Sequence, residues 1–207
     1  MTRNLLPLML ALLLALGLTG ALAEGFEGFY DLDAPYGLDT DINMILTPDG
    51  HGRLINSSGS VNFDFTEQDG RLVPNHDQLA LELNGDRVTA TVAGTLLEFV
   101  KRPDVVGGEA IAGAWKIIGM DNSGIHYDTA ALGLSVDAVL YPSGAVSWHA
   151  VTDSDSTVAQ GWGVDGEGFY MKNGDATLRL LPEDDTLKCI YPDTGRGEVT
   201  YTFVRGE

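Results

Sequence analysis

Cysteine is almost absent from this chain, since Cys189 is the only one among 207 residues. A single cysteine cannot form an internal disulfide, so packing alone must stabilise the fold. Cys189 lies in the sequence Leu187-Lys188-Cys189-Ile190-Tyr191, on the same side of an alternating segment as Leu187 and Tyr191. This position predicts a buried thiol that packs as a small apolar group rather than a reactive nucleophile.

Basic residues are also scarce, because 12 lysines and arginines stand against 30 acidic residues and give a formal net charge of −18. Nucleic acids and anionic membrane surfaces would repel such a chain, so neither is an expected partner. Clustered carboxylates can bind Ca²⁺, but the EF-hand order is missing, and we assign no metal site and favour solvated turns. The acidic clusters considered are Asp31, Asp33, Asp39 and Asp41; Asp153 and Asp155; and Glu183, Asp184 and Asp185.

Signals for catalysis are few. No Gly-x-Ser-x-Gly elbow occurs, and the four histidines are not spaced as metal ligands on a helix; they are His51, His76, His126 and His149. The segment Gly161 to Gly166 fits the dinucleotide pattern Gly-x-Gly-x-x-Gly, but the residues after it resemble another strand rather than a helix. We therefore expect no catalytic residue and no cofactor.

The longest apolar run lies near the N-terminus, where Leu5 to Leu18 follows Arg3 and is nearly all leucine and alanine. It is shorter than the roughly 20 residues of a membrane span, and the small-x-small sequence Ala21-Leu22-Ala23 follows it. We expect residues 1–23 to be a signal peptide, and no cysteine follows that could carry a lipid anchor. The mature protein is then expected to be secreted, outside the cell or in the cell-envelope space.

The rest of the chain repeats itself, because the segment from Gly28 to Arg102 is echoed in order by the segment from Gly113 to Arg205. Each copy opens on Gly-x-aromatic, contains an apolar strand ending in Pro-x-Gly, and closes on an alternating strand with a basic residue. The repeat predicts two tandem units, 24–102 and 113–207, joined by a linker over 103–112. A single pseudo-symmetric barrel built from both copies remains an alternative.

Almost every segment of both copies alternates between apolar and polar residues, which is typical of strands half buried against one core. Short turns such as Asp69-Gly70 and Asn84-Gly85 separate the segments and connect antiparallel neighbours. The sequence predicts an all-β protein of two antiparallel meanders or small up-and-down barrels, with about six to eight strands per copy. Besides the signal helix, only Tyr36–Asp41 and Tyr127–Gly133 are candidates for a turn of helix.

Five motifs of the second copy resemble lipocalin-like small β domains of secreted proteins from Gram-positive bacteria. They are Gly113-Ala114-Trp115, Tyr141-Pro142-Ser143-Gly144, Gly161-Trp162-Gly163, Asp185-Thr186-Leu187-Lys188 and Thr202-Phe203-Val204-Arg205. The first copy matches less well, since Tyr30 replaces the opening tryptophan. The resemblance implies the fold of small β-barrels and no established activity.

All three tryptophans, Trp115, Trp148 and Trp162, fall in the second copy. Inward aromatic residues usually fill a small barrel, although an eight-stranded barrel can hold one small ligand. We therefore expect a non-catalytic binding or interaction module for an unknown protein or glycan. The alternatives are a carrier of a small apolar ligand, bound by the three tryptophans, and a calcium-assisted glycan-binding module or hydrolase.

Overall fold

The computed structural model describes residues 25–34, 42–152, 155–173, 176–192 and 197–206. The expected signal peptide, the segment Tyr36–Asp41 and the candidate ligand Asp153 lie outside the described residues. The described chain is all-β and forms two antiparallel sheets in tandem, with one 3₁₀ turn at Gly108–Ala110 and no α-helix. None of these residues belongs to a helix with the length and apolar character needed to cross a bilayer.

The first copy folds into a nearly closed barrel of eight strands that follow one another around the sheet. Its two edge strands, β5 and β6, lie side by side without ladder pairing, whereas β1 pairs with β8. The strands are β1 (Gly28–Leu32), β2 (Asn43–Leu46), β3 (His51–Asn56), β4 (Gly59–Gln68), β5 (Arg71–Pro74), β6 (Leu79–Asn84), β7 (Arg87–Val92) and β8 (Thr95–Lys101).

The second copy forms a closed barrel of nine strands, because β9 pairs with β17 and completes the ring. The strands are β9 (Gly113–Asn122), β10 (Ile125–Asp128), β11 (Ser135–Leu140), β12 (Ala145–Val151), β13 (Asp155–Asp165), β14 (Gly168–Asn173), β15 (Ala176–Glu183), β16 (Thr186–Tyr191) and β17 (Val199–Arg205). On its other edge, β9 pairs with β11 through its first half and with β10 through its second half.

The two sheets match strand for strand once β10 is set aside. Strands β1 and β9 each lie between the second and the last strand of their own barrel, and both begin with the Gly-x-aromatic sequence. The expectation of tandem up-and-down barrels is therefore confirmed, and each copy forms its own sheet rather than contributing half of a shared one. Strand β10 is the addition that distinguishes the second copy.

The turns follow the expected chemistry. Asp69 and Gly70 have φ angles of 53° and 74°, a left-handed pair that matches the twist of the hairpin between β4 and β5. Of the candidate turn of helix at Tyr127–Gly133, Tyr127 and Asp128 belong instead to β10, and the residues after them form hydrogen-bonded turns, in which the amide of Leu132 donates to the carbonyl of Asp128, without a regular helix. Pairing with β9 satisfies the backbone of Tyr127 and Asp128 and holds it extended.

Apolar side chains line the interior of both barrels, as the alternation predicts. The largest fully buried side chains include Tyr30 and Phe99 in the first barrel and Phe203 in the second. The expected linker also packs, since Ile111 is fully buried in the second core and the amide of Val105 donates to the carbonyl of Pro142 at 2.9 Å. The part of this segment from Val105 to Ile111 therefore packs against the second barrel.

The Gly-x-aromatic sequence makes similar contacts in the two barrels. The Trp115 indole donates to the carbonyl of Ile111 at 2.7 Å, and the Arg205 guanidinium lies 4.0 Å from the centre of the indole ring. A Cβ on Gly113 would lie 2.8 Å from Nη1 of Arg205, so the glycine leaves room for this cation. The repeated residues are thus explained by packing.

The first barrel repeats the arrangement with different residues. The Tyr30 hydroxyl donates to the carbonyl of Phe26, also four residues earlier. A Cβ on Gly28 would lie 2.7 Å from Cε of Lys101, whose ammonium group donates to the carbonyl of Gly25. The basic residues that end the last strand of each barrel, Lys101 in β8 and Arg205 in β17, are therefore structural.

Candidate functional site

The three tryptophans do not surround an open cavity. Trp115 and Trp162 are each 2% exposed within the second barrel, and Trp148 is half-buried against Phe203, with ring centres 5.6 Å apart. The Trp162 indole donates to the carbonyl of Tyr141 at 2.8 Å. The indole N–H groups of Trp115 and Trp162 both donate to backbone oxygens, which is typical of tryptophans in a protein core.

The free space that remains inside the second barrel has a volume of about 10 Å³. A cavity of about 10–15 Å³ holds a single water molecule. Trp115, Trp148 and Met171 line this space together with aliphatic residues and Cys189. A small apolar ligand would have to displace packed side chains to enter, so carriage inside this barrel stays a prediction that requires the core to open.

Cys189 lies in that core, and burial raises the pKa of its thiol to about 12. Because the thiolate is the reactive form, we expect labelling of the native protein at pH 8 to be about a thousandfold slower than labelling of the unfolded chain. The rate of reaction with a thiol-specific disulfide reagent, with and without denaturant, measures this ratio. A Ser58→Cys variant supplies an exposed thiol as the control, and equal rates for Cys189 in both states would contradict the buried position.

The expected acidic and histidine groups are distributed over the surface. Among the described residues, no group of three or more histidine, cysteine, aspartate or glutamate side chains is arranged to hold a metal ion. Three of the four histidines each pair with one aspartate, and several cluster members pair with cations. The pairs are His51 with Asp64, His126 with Asp121, His149 with Asp155, Asp31 with Arg102, Asp33 with Arg87 and Glu183 with Lys188.

The glycine-rich sequence from Gly161 to Gly166 lies in β13 and the turn after it, and β14 follows. The first of its glycines, Gly161, serves the packing of the two barrels on each other. A Cβ on Gly161 would lie 2.2 Å from Cε2 of Phe29, so only glycine lets this ring of the first barrel lie flat against β13. Phe29 and Ile45 pack there with Ala145 and Ala159 of the second barrel.

Polar contacts extend this interface between the barrels. The amide of Phe29 donates to the carbonyl of Ser143 at 3.3 Å, and the Ser147 hydroxyl donates to the Asp49 carboxylate. The apolar contact and these hydrogen bonds hold the outer faces of β1, β2 and β3 against β12 and β13. Two units of about 80 residues without a disulfide are expected to pack on one another, but the sequence did not indicate which outward residues form the contact.

Beside the interface the two barrels diverge and leave a cleft of about 550 Å³, which we call the inter-barrel cleft. Its first-barrel wall includes Phe29, Asn43, Arg53, Ile55, Ser60 and Arg102. Its second-barrel wall is formed by Tyr170 and Lys172 of β14. This volume lies within the range of about 300–1,000 Å³ that is usual for sites that bind small molecules.

Arg53 is the unusual residue of the cleft, because only 9% of its surface is exposed and it has no carboxylate partner among the described residues. Its Nη2 donates to the Ser60 hydroxyl at 2.8 Å, while its buried Nε has no hydrogen-bond partner. Burial also lowers the pKa of this guanidinium. A buried, under-bonded cation is costly to a folded protein, which makes Arg53 a candidate for a role in binding.

The other two cations of the cleft have different surroundings. Arg102 donates from Nε and Nη2 to the two carboxylate oxygens of Asp31 at 2.7 and 2.5 Å and lies 3.8 Å from the centre of the Phe29 ring. Lys172 is exposed, and its ammonium group donates to the Thr177 hydroxyl at 2.6 Å without a carboxylate partner in the described chain. Arg102 is thus fixed and neutralised, whereas none of the described carboxylates compensates the charge of Arg53 or Lys172.

Comparison with protein-family models and with curated proteins finds no match for this chain. The fold and the chemistry of the cleft are therefore the basis on which a function can be assigned.

Proposed function

We propose that this protein is an exported, non-catalytic binding protein built from two lipocalin-like barrels, and that its ligand site is the inter-barrel cleft. The proposal narrows the sequence-based expectation of a binding module to one place in the fold. The observation that carries it is the contrast between a cleft of about 550 Å³ and a second-barrel interior with about 10 Å³ of free space.

The walls of the cleft combine the two kinds of surface that small-molecule sites use. Phe29 and Ile55 supply apolar surface, while Arg53, Ser60 and Tyr170 supply polar groups that can orient a ligand. The site lies where two units meet, which is a common position for binding sites. Its rigid base is the packing of Phe29 on Gly161, so the walls are held before a ligand arrives.

The described residues of the cleft support binding rather than catalysis. The Asp31 carboxylate beside the cleft is held by two hydrogen bonds from Arg102, which leaves it poorly placed to accept a proton from a ligand. Cys189 lies in the core of the second barrel, away from the cleft walls. No described histidine is part of the cleft wall.

Fragment binding followed by NMR tests the proposal. We expect members of a small-molecule fragment set, containing neutral, cationic and anionic compounds, to shift backbone amide resonances of Arg53, Ser60 and Tyr170 in the ¹⁵N-labelled mature protein. A Ser60→Trp variant, which fills the cleft, should lose these shifts.

Thr66→Trp is the matched control, because Thr66 lies exposed on the same face of β4, outside the cleft. This variant should retain the shifts. The proposal fails if no fragment perturbs the cleft amides, or if Ser60→Trp binds the same fragments as the unmodified protein.

A further inference from the structure

Building on the proposed function, we propose that the inter-barrel cleft selects a small organic anion, whose carboxylate, sulfonate or phosphate oxygens bind Arg53 and are supported by Lys172. The inference adds a ligand class to the site and rests on the arrangement of its cations. A negatively charged group on an organic framework is the chemistry that complements both the charge and the apolar surface of the cleft.

Arg53 gives the strongest indication. A guanidinium has five N–H donors, and the described residues accept only one hydrogen bond from Arg53. A buried cation is normally matched by a carboxylate, but the outward neighbours of Arg53 across the sheet are Ile45 and Asn62, which carry no charge. The missing acceptor oxygens and the missing negative charge are both supplied by an oxyanion.

The uneven distribution of charge supports the same conclusion. The chain carries 30 acidic and 12 basic residues, yet three of those basic residues line this one cleft, and of the three only Arg102 is paired with a described carboxylate, that of Asp31 beside the cleft. A protein with so large a negative charge repels anions over most of its surface. Cations converging in a partly enclosed cleft create the local potential that an anion needs in order to bind.

The remaining residues of the wall favour an organic ligand over a bare inorganic ion. Ile55 and the Tyr170 ring offer apolar contact beside the cations, and the cleft is many times larger than sulfate or phosphate requires. Arg102, held by Asp31 and by the face of Phe29, forms a fixed edge of this surface. A planar or aliphatic group carrying one oxyanion would use both parts of the cleft.

Three probes distinguish these contributions: naphthalene-1-sulfonate as an organic anion, inorganic sulfate as the anion alone, and 1-naphthalenemethanol as an uncharged analogue. Dissociation constants are measured with the mature protein by NMR titration at two salt concentrations. We expect the sulfonate to bind most tightly, and more weakly at high salt, with sulfate weaker and the alcohol weakest.

Variants then identify the cations. Arg53→Met removes the charge while keeping much of the side-chain length, and it should weaken sulfonate binding by about tenfold or more, since charge-assisted hydrogen bonds are lost. Lys172→Met changes an exposed residue and should weaken binding by a smaller factor. Arg87→Met removes the same charge from an exposed position outside the cleft and should leave binding unchanged.

Folding and binding are separated by measuring melting temperatures of the same variants. If Arg53→Met does not fold, Arg53→Lys and Lys172→Met decide the matter, because Lys172 is exposed and its replacement does not open the core. The inference is overturned if the sulfonate and the alcohol bind equally and Arg53→Met and Lys172→Met change neither; the cleft would then still be a binding site. If no probe shifts any cleft resonance, the inference and the proposed function both fail.

Discussion

Replacing Phe29 with alanine is expected to lower the free energy of unfolding by about 3–5 kcal/mol, the usual cost of removing a buried phenylalanine ring. Only 7% of Phe29 is exposed, although its side chain points away from the core of its own barrel. The ring is covered by Gly161, Ala145 and Ala159 of the second barrel. The substitution therefore leaves a cavity between the barrels.

Chemical denaturation followed by tryptophan fluorescence measures how much stability the second barrel loses when the Phe29 ring is removed. All three tryptophans lie in that barrel, so their fluorescence reports its unfolding. Hydrogen exchange of first-barrel amides measures whether that barrel opens separately once the Phe29 ring is gone. Gly161→Ala provides the matched test, since its new methyl group would collide with the ring and cost about 1–3 kcal/mol.

The double variant of Phe29→Ala and Gly161→Ala decides whether the two residues touch. With the ring removed, the alanine methyl group fills part of the cavity, so the two changes should cost less together than the sum of the separate losses. Strict additivity, or a loss below about 1 kcal/mol for Phe29→Ala, would contradict the packed interface.

Trp115→Ala is expected to have an effect of similar size, about 3–5 kcal/mol, confined to the second barrel. The indole is 2% exposed, hydrogen-bonded to the carbonyl of Ile111 and covered by the guanidinium of Arg205. Removing the indole leaves a cavity and deprives the Ile111 carbonyl and the Arg205 guanidinium of their contact. Because the indole is buried, water does not readily replace these contacts.

Trp148→Ala is the control for this prediction, because it removes the same side chain from a half-buried position. Its cost should be clearly smaller than that of Trp115→Ala in the same urea titration. If Trp148 were the more important of the two rings for packing, Trp148→Ala would lower the free energy of unfolding more than Trp115→Ala does. Equal costs would show that the hydrogen bond to Ile111 and the contact with Arg205 add nothing.

The sequence predicts the barrels well because their cores depend on local alternation. Phe63 and Phe65 are buried and Asp64 between them faces outward, as the period of two requires. Val61 lies on the same inward side but is 54% exposed, because β4 extends past the end of the core there. Alternation indicates which side a residue faces, and the length of the neighbouring strands decides whether it is covered.

The cleft is harder to predict, because its residues are outward-facing and come from both copies. Arg53 follows the alternation of β3 and points away from its own barrel, which for a polar residue indicates solvent. Its burial depends on the second barrel, and that contact depends on Gly161, a hundred residues away in the sequence. One signal was present: Phe29 is an apolar residue on an outward position of β1, and such a residue favours a packed interface.

The tryptophans, in contrast to the cleft residues, were candidates for a ligand site from the sequence, and the structure places them in or against the core. Trp115, Trp148 and Trp162 were candidates for a ligand site only in the alternative of an apolar carrier, because large inward aromatic residues clustered in one copy are also typical of a packed core. Two features distinguish a ligand site from a packed core: the free volume inside the barrel and the hydrogen-bond partner of each indole N–H group. Both depend on how the sheet closes. Neither can be obtained from spacing alone.

Binding of an anion to Arg53 between the barrels is observed directly through the Nε–Hε NMR resonance of this side chain. The resonance is assigned by its loss in Arg53→Lys, and naphthalene-1-sulfonate is added to the ¹⁵N-labelled mature protein. We expect the Arg53 resonance to shift in a saturable manner while the indole resonances of Trp115 and Trp162 stay in place. An unmoved Arg53 resonance together with shifted indole resonances would place the ligand inside the second barrel and contradict the account.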